Sequence, residues 1–213
     1  MIGFLFPIII GSADFLRVLG EITTFPLGQS VLPQKKGSVC INGAVWLTTD
    51  LRFYTGLYLQ GSVGVGGAYQ LSDRTGLTLR IGGWGSEDGF YAPMIQGGVD
   101  ERLAFAMLHL RARWALHRDR SGSYHILGLD GYLSQTIRIW GWLWPYWAAG
   151  IGIYGYHVPE AVAGDGSLQL TPGIRGLVGI NIRLGPVGIG TELGAYGNPL
   201  TSARLGISIG AEF

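Results

Sequence analysis

The chain ends on Ala203-Arg-Leu-Gly-Ile-Ser-Ile-Gly-Ala-Glu-Phe213, and this stretch decides the fold. Its odd-numbered positions are all apolar, and its even-numbered positions are polar or glycine. Successive side chains of a β-strand point to opposite faces, so strict alternation predicts a strand with one apolar and one polar face. About ten residues of this kind is the length that a tilted strand needs to cross a bilayer. We therefore predict a membrane-spanning strand at the end of the chain.

The same period of two recurs along the chain. The alternating segments are Ile41–Phe53, Leu57–Leu71, Leu77–Gly85, Arg102–Arg118, Tyr124–Trp140, Pro172–Leu184 and Val187–Tyr196, with a strand of small residues over Tyr146–Tyr156. Period 2 over this many segments predicts an all-β protein. The length of 213 residues suits one barrel, of about eight to ten strands, and we favour eight. The prediction is a single antiparallel up-and-down transmembrane β-barrel over residues 41–213.

Charge decides which face of the barrel meets lipid. Only 14% of the residues are charged, against about 25% in ordinary soluble domains. A polar face built mainly from Gly, Ser, Thr and Tyr is too sparsely charged to coat a protein in water, but it suits a crowded interior. We therefore place the Leu/Ile/Val face toward lipid, as membrane barrels require. The alternative is a soluble, lipocalin-like ligand-binding barrel with the two faces reversed.

A transmembrane helix is the alternative at Ile139–Pro159. This segment has no charged residue over about the length that a spanning helix needs. It contains Pro145 and four glycines, which weaken a helix. It also divides into an aromatic cluster, Trp140–Tyr146, and a strand of small residues. We favour a turn with interfacial aromatic side chains, followed by a strand.

The first 40 residues are not predicted to form part of the barrel wall. Met1–Gly11 resembles the apolar core of a secretory signal, although it lacks a positively charged start. We expect residues 1–40 to be this signal-like segment and a periplasmic lead-in.

Three longer links are predicted, at Glu87–Glu101, Val158–Leu170 and Asn198–Ser202. If the C-terminus is periplasmic, the last two links face outward. An extracellular ligand would bind chiefly at Val158–Leu170 or Glu87–Glu101. Counting strands backwards places Glu87–Glu101 on the periplasmic side, which leaves the number of strands open.

Three stretches resemble the small outer-membrane β-barrels of bacteria, of the opacity-protein and OmpA-transmembrane type. They are Gly64–Arg80, Pro145–Gly152 and the terminal Phe213, preceded by the apolar Leu205, Ile207 and Ile209. The resemblance implies a location in the bacterial outer membrane and contact with its lipid. It also implies insertion by the barrel assembly machinery, with those last four residues as the assembly signal. The roles implied are structural, adhesive or weakly pore-forming.

The interior polar face is the place for any chemistry. It carries Arg80, His109, Arg111, Arg113, Asp130, Arg138, Arg175, Arg183, Glu192, Arg204 and Glu212. Buried arginines and carboxylates must pair to offset the loss of hydration, which predicts a structural network. The excess of arginine also suggests a second interpretation, a constriction that favours small anions.

Motifs that would indicate an enzyme have the wrong context. Gly206-Ile-Ser-Ile-Gly210 matches G-x-S-x-G, but only three residues follow and none is His. Gly150–Gly155 matches a dinucleotide-binding fingerprint with no amphipathic helix after it. The sequence positions of Ser123 and Ser134 do not bring either serine together with a histidine in a recognisable catalytic pair. We expect no catalytic site, with a lipid-modifying outer-membrane enzyme as the alternative.

The sequence also predicts no cofactor and no metal site. Cys40 is the single cysteine, so a Cys-based zinc cluster is excluded. The net charge of +1 gives no broad basic surface for nucleic acid.

Overall fold

The computed structural model describes residues 35–50, 59–86, 91–119, 122–157, 168–197 and 200–213. These residues form ten strands: β1 Val39–Asp50, β2 Leu59–Gln70, β3 Thr75–Ser86, β4 Tyr91–Arg102, β5 Met107–Asp119, β6 Gly122–Thr136, β7 Leu143–His157, β8 Leu168–Leu184, β9 Val187–Gly197 and β10 Leu200–Glu212. Each strand pairs antiparallel with its sequence neighbours, and β1 pairs with β10. Val39 and Phe213 exchange backbone hydrogen bonds of 3.1 and 2.8 Å across this closure. The predicted all-β antiparallel barrel is confirmed, with ten strands instead of the favoured eight.

The main difference from the prediction is β4. The sequence predicts a link over Glu87–Glu101 and a strand from Arg102, but Tyr91–Arg102 forms a strand, whose Pro93 and Gly97-Gly98 imitate loop composition. The strand nevertheless pairs with both neighbours over its length. The true turn is 103–106, so β5 begins at Met107 and not at Arg102.

The added strand determines which connections share an end of the barrel. The turns 71–74, 103–106, 137–142 and 185–186 all lie at the barrel end that holds Val39 and Phe213. At the opposite end, the strands are joined through 51–58, 87–90, 120–121, 158–167 and 198–199, which lie outside the described residues, as does 1–34. The long links predicted at Val158–Leu170 and Asn198–Ser202 are shortened by β8 and β10.

Local sequence explains the tight turn between β8 and β9. Gly185 has a φ of +63°, a conformation that glycine adopts without steric cost. Pro186 follows with its φ held near −65° by the ring. A two-residue hairpin with glycine first suits the twist of the strands it joins.

The helix alternative at Ile139–Pro159 is wrong, because β7 occupies most of it. Among the described residues, no helix is long and apolar enough to cross a membrane.

The distribution of side chains is inverted relative to a soluble barrel. On the outer face, Leu129 is 65% and Ile151 is 68% exposed. On the inner face, Arg204, Tyr154 and Trp46 are each 1% exposed. An apolar exterior around a polar interior matches a barrel that is surrounded by hydrocarbon.

Candidate functional site

Most of the polar side chains predicted for the interior are buried there. They are Arg80, His109, Arg111, Arg113, Asp130, Arg175, Glu192 and Arg204. Alternation along the strands carries them inward, since each lies on the same face as buried neighbours two residues away.

Three predicted members lie elsewhere. Arg138 is exposed in the turn 137–142, because β6 ends at Thr136 and not at Trp140. Arg183 and Glu212 form an ion pair at the end of the barrel, where their side chains are 16% and 14% exposed. These residues belong to the rim of the barrel and not to its interior.

A cluster of charged and aromatic side chains from β5, β6, β7 and β8 lies in the interior around Asp130, and we call it the Asp130 cluster (Arg113, Asp130, Tyr132, Tyr154 and Arg175). Asp130 Oδ1 lies 2.9 Å from Arg175 Nη2, and its Oδ2 lies 3.5 Å from Arg113 Nη1. Arg175 donates a 2.5 Å hydrogen bond to the Tyr132 hydroxyl. The guanidinium groups of Arg113 and Arg175 lie 4.4 and 4.8 Å from the centre of the Tyr154 ring. Pairing and cation–π contact compensate the desolvation of these charges.

Glycines on the inner face make room for the Asp130 cluster. A Cβ at Gly152 would collide with Asp130 Oδ1, and a Cβ at Gly128 would collide with the Arg113 side chain. The inner face therefore carries glycine where a large side chain from a neighbouring strand occupies the space that a Cβ would need.

A second group continues the packing toward β1 and β10. Arg204 Nε donates to Thr48 Oγ1 at 3.2 Å, and its guanidinium lies 4.7 Å from the centre of the Tyr196 ring. Glu192 accepts a 3.0 Å hydrogen bond from the Tyr146 hydroxyl. The Arg204 guanidinium also lies 5.9 Å from the centre of the Trp46 ring, so both strands of the closure contribute a large side chain to the interior.

The structure also brings together a set that the sequence did not predict, which we call the His109 cluster (Asp100, His109, Arg111 and Ser134). His109 Nδ1 is hydrogen-bonded to Asp100 Oδ1 at 2.5 Å, and His109 Nε2 is hydrogen-bonded to Ser134 Oγ at 2.7 Å. Arg111 pairs with the same carboxylate. The sequence did not predict this contact because it depends on the pairing of β4 with β5, which places Asp100 directly opposite His109.

The order Asp–His–Ser is also that of a hydrolase triad. The surroundings differ from those of an active site. Ser134 is 2% exposed, and Arg111 pairs with the same carboxylate that contacts His109. The cavity beside Asp100, lined also by Gln70 and Met107, has a volume of about 10 Å³, room for one water. The arrangement ties β4, β5 and β6 together through buried hydrogen bonds.

The buried interior carries more positive than negative charge. Among the described residues, five arginines and three carboxylates are buried. Counting these arginines and carboxylates alone, the buried interior has an excess of two positive charges.

Comparison with solved structures gives outer-membrane β-barrels. The translocator domain of the autotransporter NalP from Neisseria meningitidis is 10% identical, with 95% of this chain and 98% of that chain covered and a TM-score of 0.48. Neisserial surface protein A is 13% identical, covering 83% and 96%, with a TM-score of 0.41. The outer membrane protein OprG from Pseudomonas aeruginosa is 13% identical, covering 85% and 98%, with a TM-score of 0.35. No protein-family model matches the sequence, and no curated protein matches it.

Proposed function

We propose that this protein is a closed outer-membrane β-barrel that acts as a rigid anchor for the connections at the end opposite Val39 and Phe213. The observation that carries the proposal is the Asp130 cluster, whose ion pairs and aromatic contacts join β5, β6, β7 and β8 inside the barrel and leave its charged groups almost fully buried. Opening a channel there would expose or separate buried charges, at a cost of several kcal/mol per ion. A filled interior favours anchoring over transport.

The outer surface supports the membrane location. The strands are 11 to 17 residues long, enough for a tilted strand to span the hydrocarbon region. Exposed Leu, Ile and Val side chains of all ten strands cover the barrel wall, with β4 contributing Ile95 and Val99. In water such a surface would drive aggregation.

The connections at the end opposite Val39 and Phe213 are the proposed place for an extracellular ligand. The longest of them, 158–167, joins β7 to β8. Shortening this connection should spare the barrel and abolish binding, since loops tolerate deletion better than strands. The matching deletion near β4 must be limited to 87–90, because removing Glu87–Glu101 would remove a strand of the wall.

Single-channel recording in planar bilayers tests the closed interior. The folded protein should give no steady conductance steps, while a gel shift on boiling shows that the barrel in the same preparation is intact. Steady, uniform steps from the intact barrel would refute the closed anchor.

A narrow, anion-selective pore is the second candidate, favoured by the excess of buried arginine. Rings of Arg or Lys select anions in pores. If conductance is found, neutralising Arg111 and Arg113 should shift the reversal potential in a salt gradient toward cation selectivity. An unchanged reversal potential would exclude these arginines as the selectivity filter.

A further inference from the structure

The barrel end that holds Val39 and Phe213 carries an excess of positive charge. Its cationic side chains are Lys35, Lys36, Arg74, Arg102, Arg138 and Arg183, and its acidic side chains are Asp73, Glu101 and Glu212. We call this set of side chains the basic rim. The described part of this end thus has six cationic side chains and three acidic side chains. One carboxylate, Glu212, is already paired with Arg183.

Exposed aromatic side chains lie at the same level as the basic rim. Phe105 is 75%, Trp140 is 57% and Phe213 is 76% exposed. Trp140 stacks on Trp142, with 5.4 Å between ring centres. Aromatic side chains of this kind mark the boundary between membrane and water.

Arg138 is the best placed cation of the basic rim. It lies between Ile137 and Ile139, both more than half exposed, so its aliphatic stem can follow apolar surface while the head reaches water. Its guanidinium lies 5.5 Å from the centre of the Trp144 ring. Among the described residues, no carboxylate forms an ion pair with it, and a guanidinium fork suits the oxygens of a phosphate.

We propose that the basic rim is a docking surface for the headgroups of anionic phospholipids in the leaflet at the barrel end that holds Val39 and Phe213. The inference rests on the proposed membrane location. Positive charge complements the anionic phosphate, and the exposed aromatic and aliphatic side chains beside it need the interfacial region of a bilayer. A soluble polyanion would satisfy the charges but leave Phe105 and Trp140 in water.

Tryptophan quenching by brominated lipid measures the preference directly, since Trp140 and Trp142 lie on the rim. The barrel is folded into vesicles that contain brominated phosphatidylglycerol or brominated phosphatidylcholine with matched acyl chains. We expect a preference of at least about fivefold for phosphatidylglycerol, weakened by salt. Arg138→Gln should lower the preference by about fivefold, whereas Arg138→Lys should retain it. Gln135→Ala, a change at an exposed uncharged neighbour, is the matched control and should have no effect.

Gel mobility separates the failure of this proposal from failure of the proposed function. An intact, heat-modifiable barrel with equal quenching by the two lipids would overturn the lipid proposal alone. An Arg138→Gln barrel with unchanged preference would overturn the role of the rim. Binding of polyphosphate in detergent, without a lipid preference, would replace the lipid with a soluble partner. A chain that inserts into neither kind of vesicle would overturn both proposals.

Discussion

Neutralising Asp130 tests the account of the interior most sharply. Its side chain is fully buried, and it pairs with Arg175 at 2.9 Å and with Arg113 at 3.5 Å. Asp130→Asn keeps the shape of the side chain but leaves two buried guanidinium groups without their carboxylate. Removing one partner from a buried ion pair costs about 3–5 kcal/mol. We expect the free energy of unfolding to fall by about 3 kcal/mol. This is the lower end of that range, because the amide oxygen of the asparagine still accepts a hydrogen bond.

Glu212→Gln is the matched control, since it breaks a pair with Arg183 whose side chains are partly exposed. Its cost should be about 1 kcal/mol or less. Both variants are measured by urea unfolding in lipid vesicles, followed by tryptophan fluorescence and gel mobility. Adding Arg113→Met to Asp130→Asn should recover part of the loss, because it removes one unpaired charge. Equal, small losses for Asp130→Asn and Glu212→Gln would refute a charge-paired, water-poor centre.

Three further predictions concern the outer face, the inner glycines and the His109 cluster. Leu129→Arg, at the middle of β6, should destabilise the inserted barrel by about 2–4 kcal/mol, and Leu184→Arg at the end of β8 by about 1 kcal/mol or less; equal costs in urea titrations would argue against a hydrocarbon surround. Gly150→Ala should cost about 1–3 kcal/mol in the same titrations, because its Cβ would overlap the Gly131 carbonyl. Gly176→Ala, with nothing within 4 Å of its Cβ, should leave stability nearly unchanged, and similar effects for the two would count against the packing described. Ser134 should not react with a fluorophosphonate probe; labelling that disappears in His109→Gln would instead make it a nucleophile.

Alternation was sufficient to predict most of the wall, because a period of two survives wherever apolar side chains fill one face. β10 and β2 show it in nearly every residue. It failed at β4, where Pro93 and Gly97-Gly98 interrupt the pattern of large outward side chains. A strand held by pairing on both sides tolerates such residues, and no local signal reports that pairing.

The same missing strand hid the His109 cluster. Asp100 was assigned to a link, so its contact with His109 depended on a register that the sequence does not display. The interior position predicted for Arg138 is wrong because the alternating pattern continues beyond the end of the strand at Thr136 and into the turn. Charge pairing inside the barrel follows from the inward face of each strand, but which arginine meets which carboxylate depends on the stagger of neighbouring strands.

The most direct test of a closed membrane barrel is the gel mobility of the chain after refolding with and without lipid vesicles. We predict that vesicles give a band whose mobility changes on boiling, and that plain buffer without lipid or detergent gives none. A folded monomer in plain buffer, with no mobility change on boiling, would contradict the account and would reverse the assignment of the two faces.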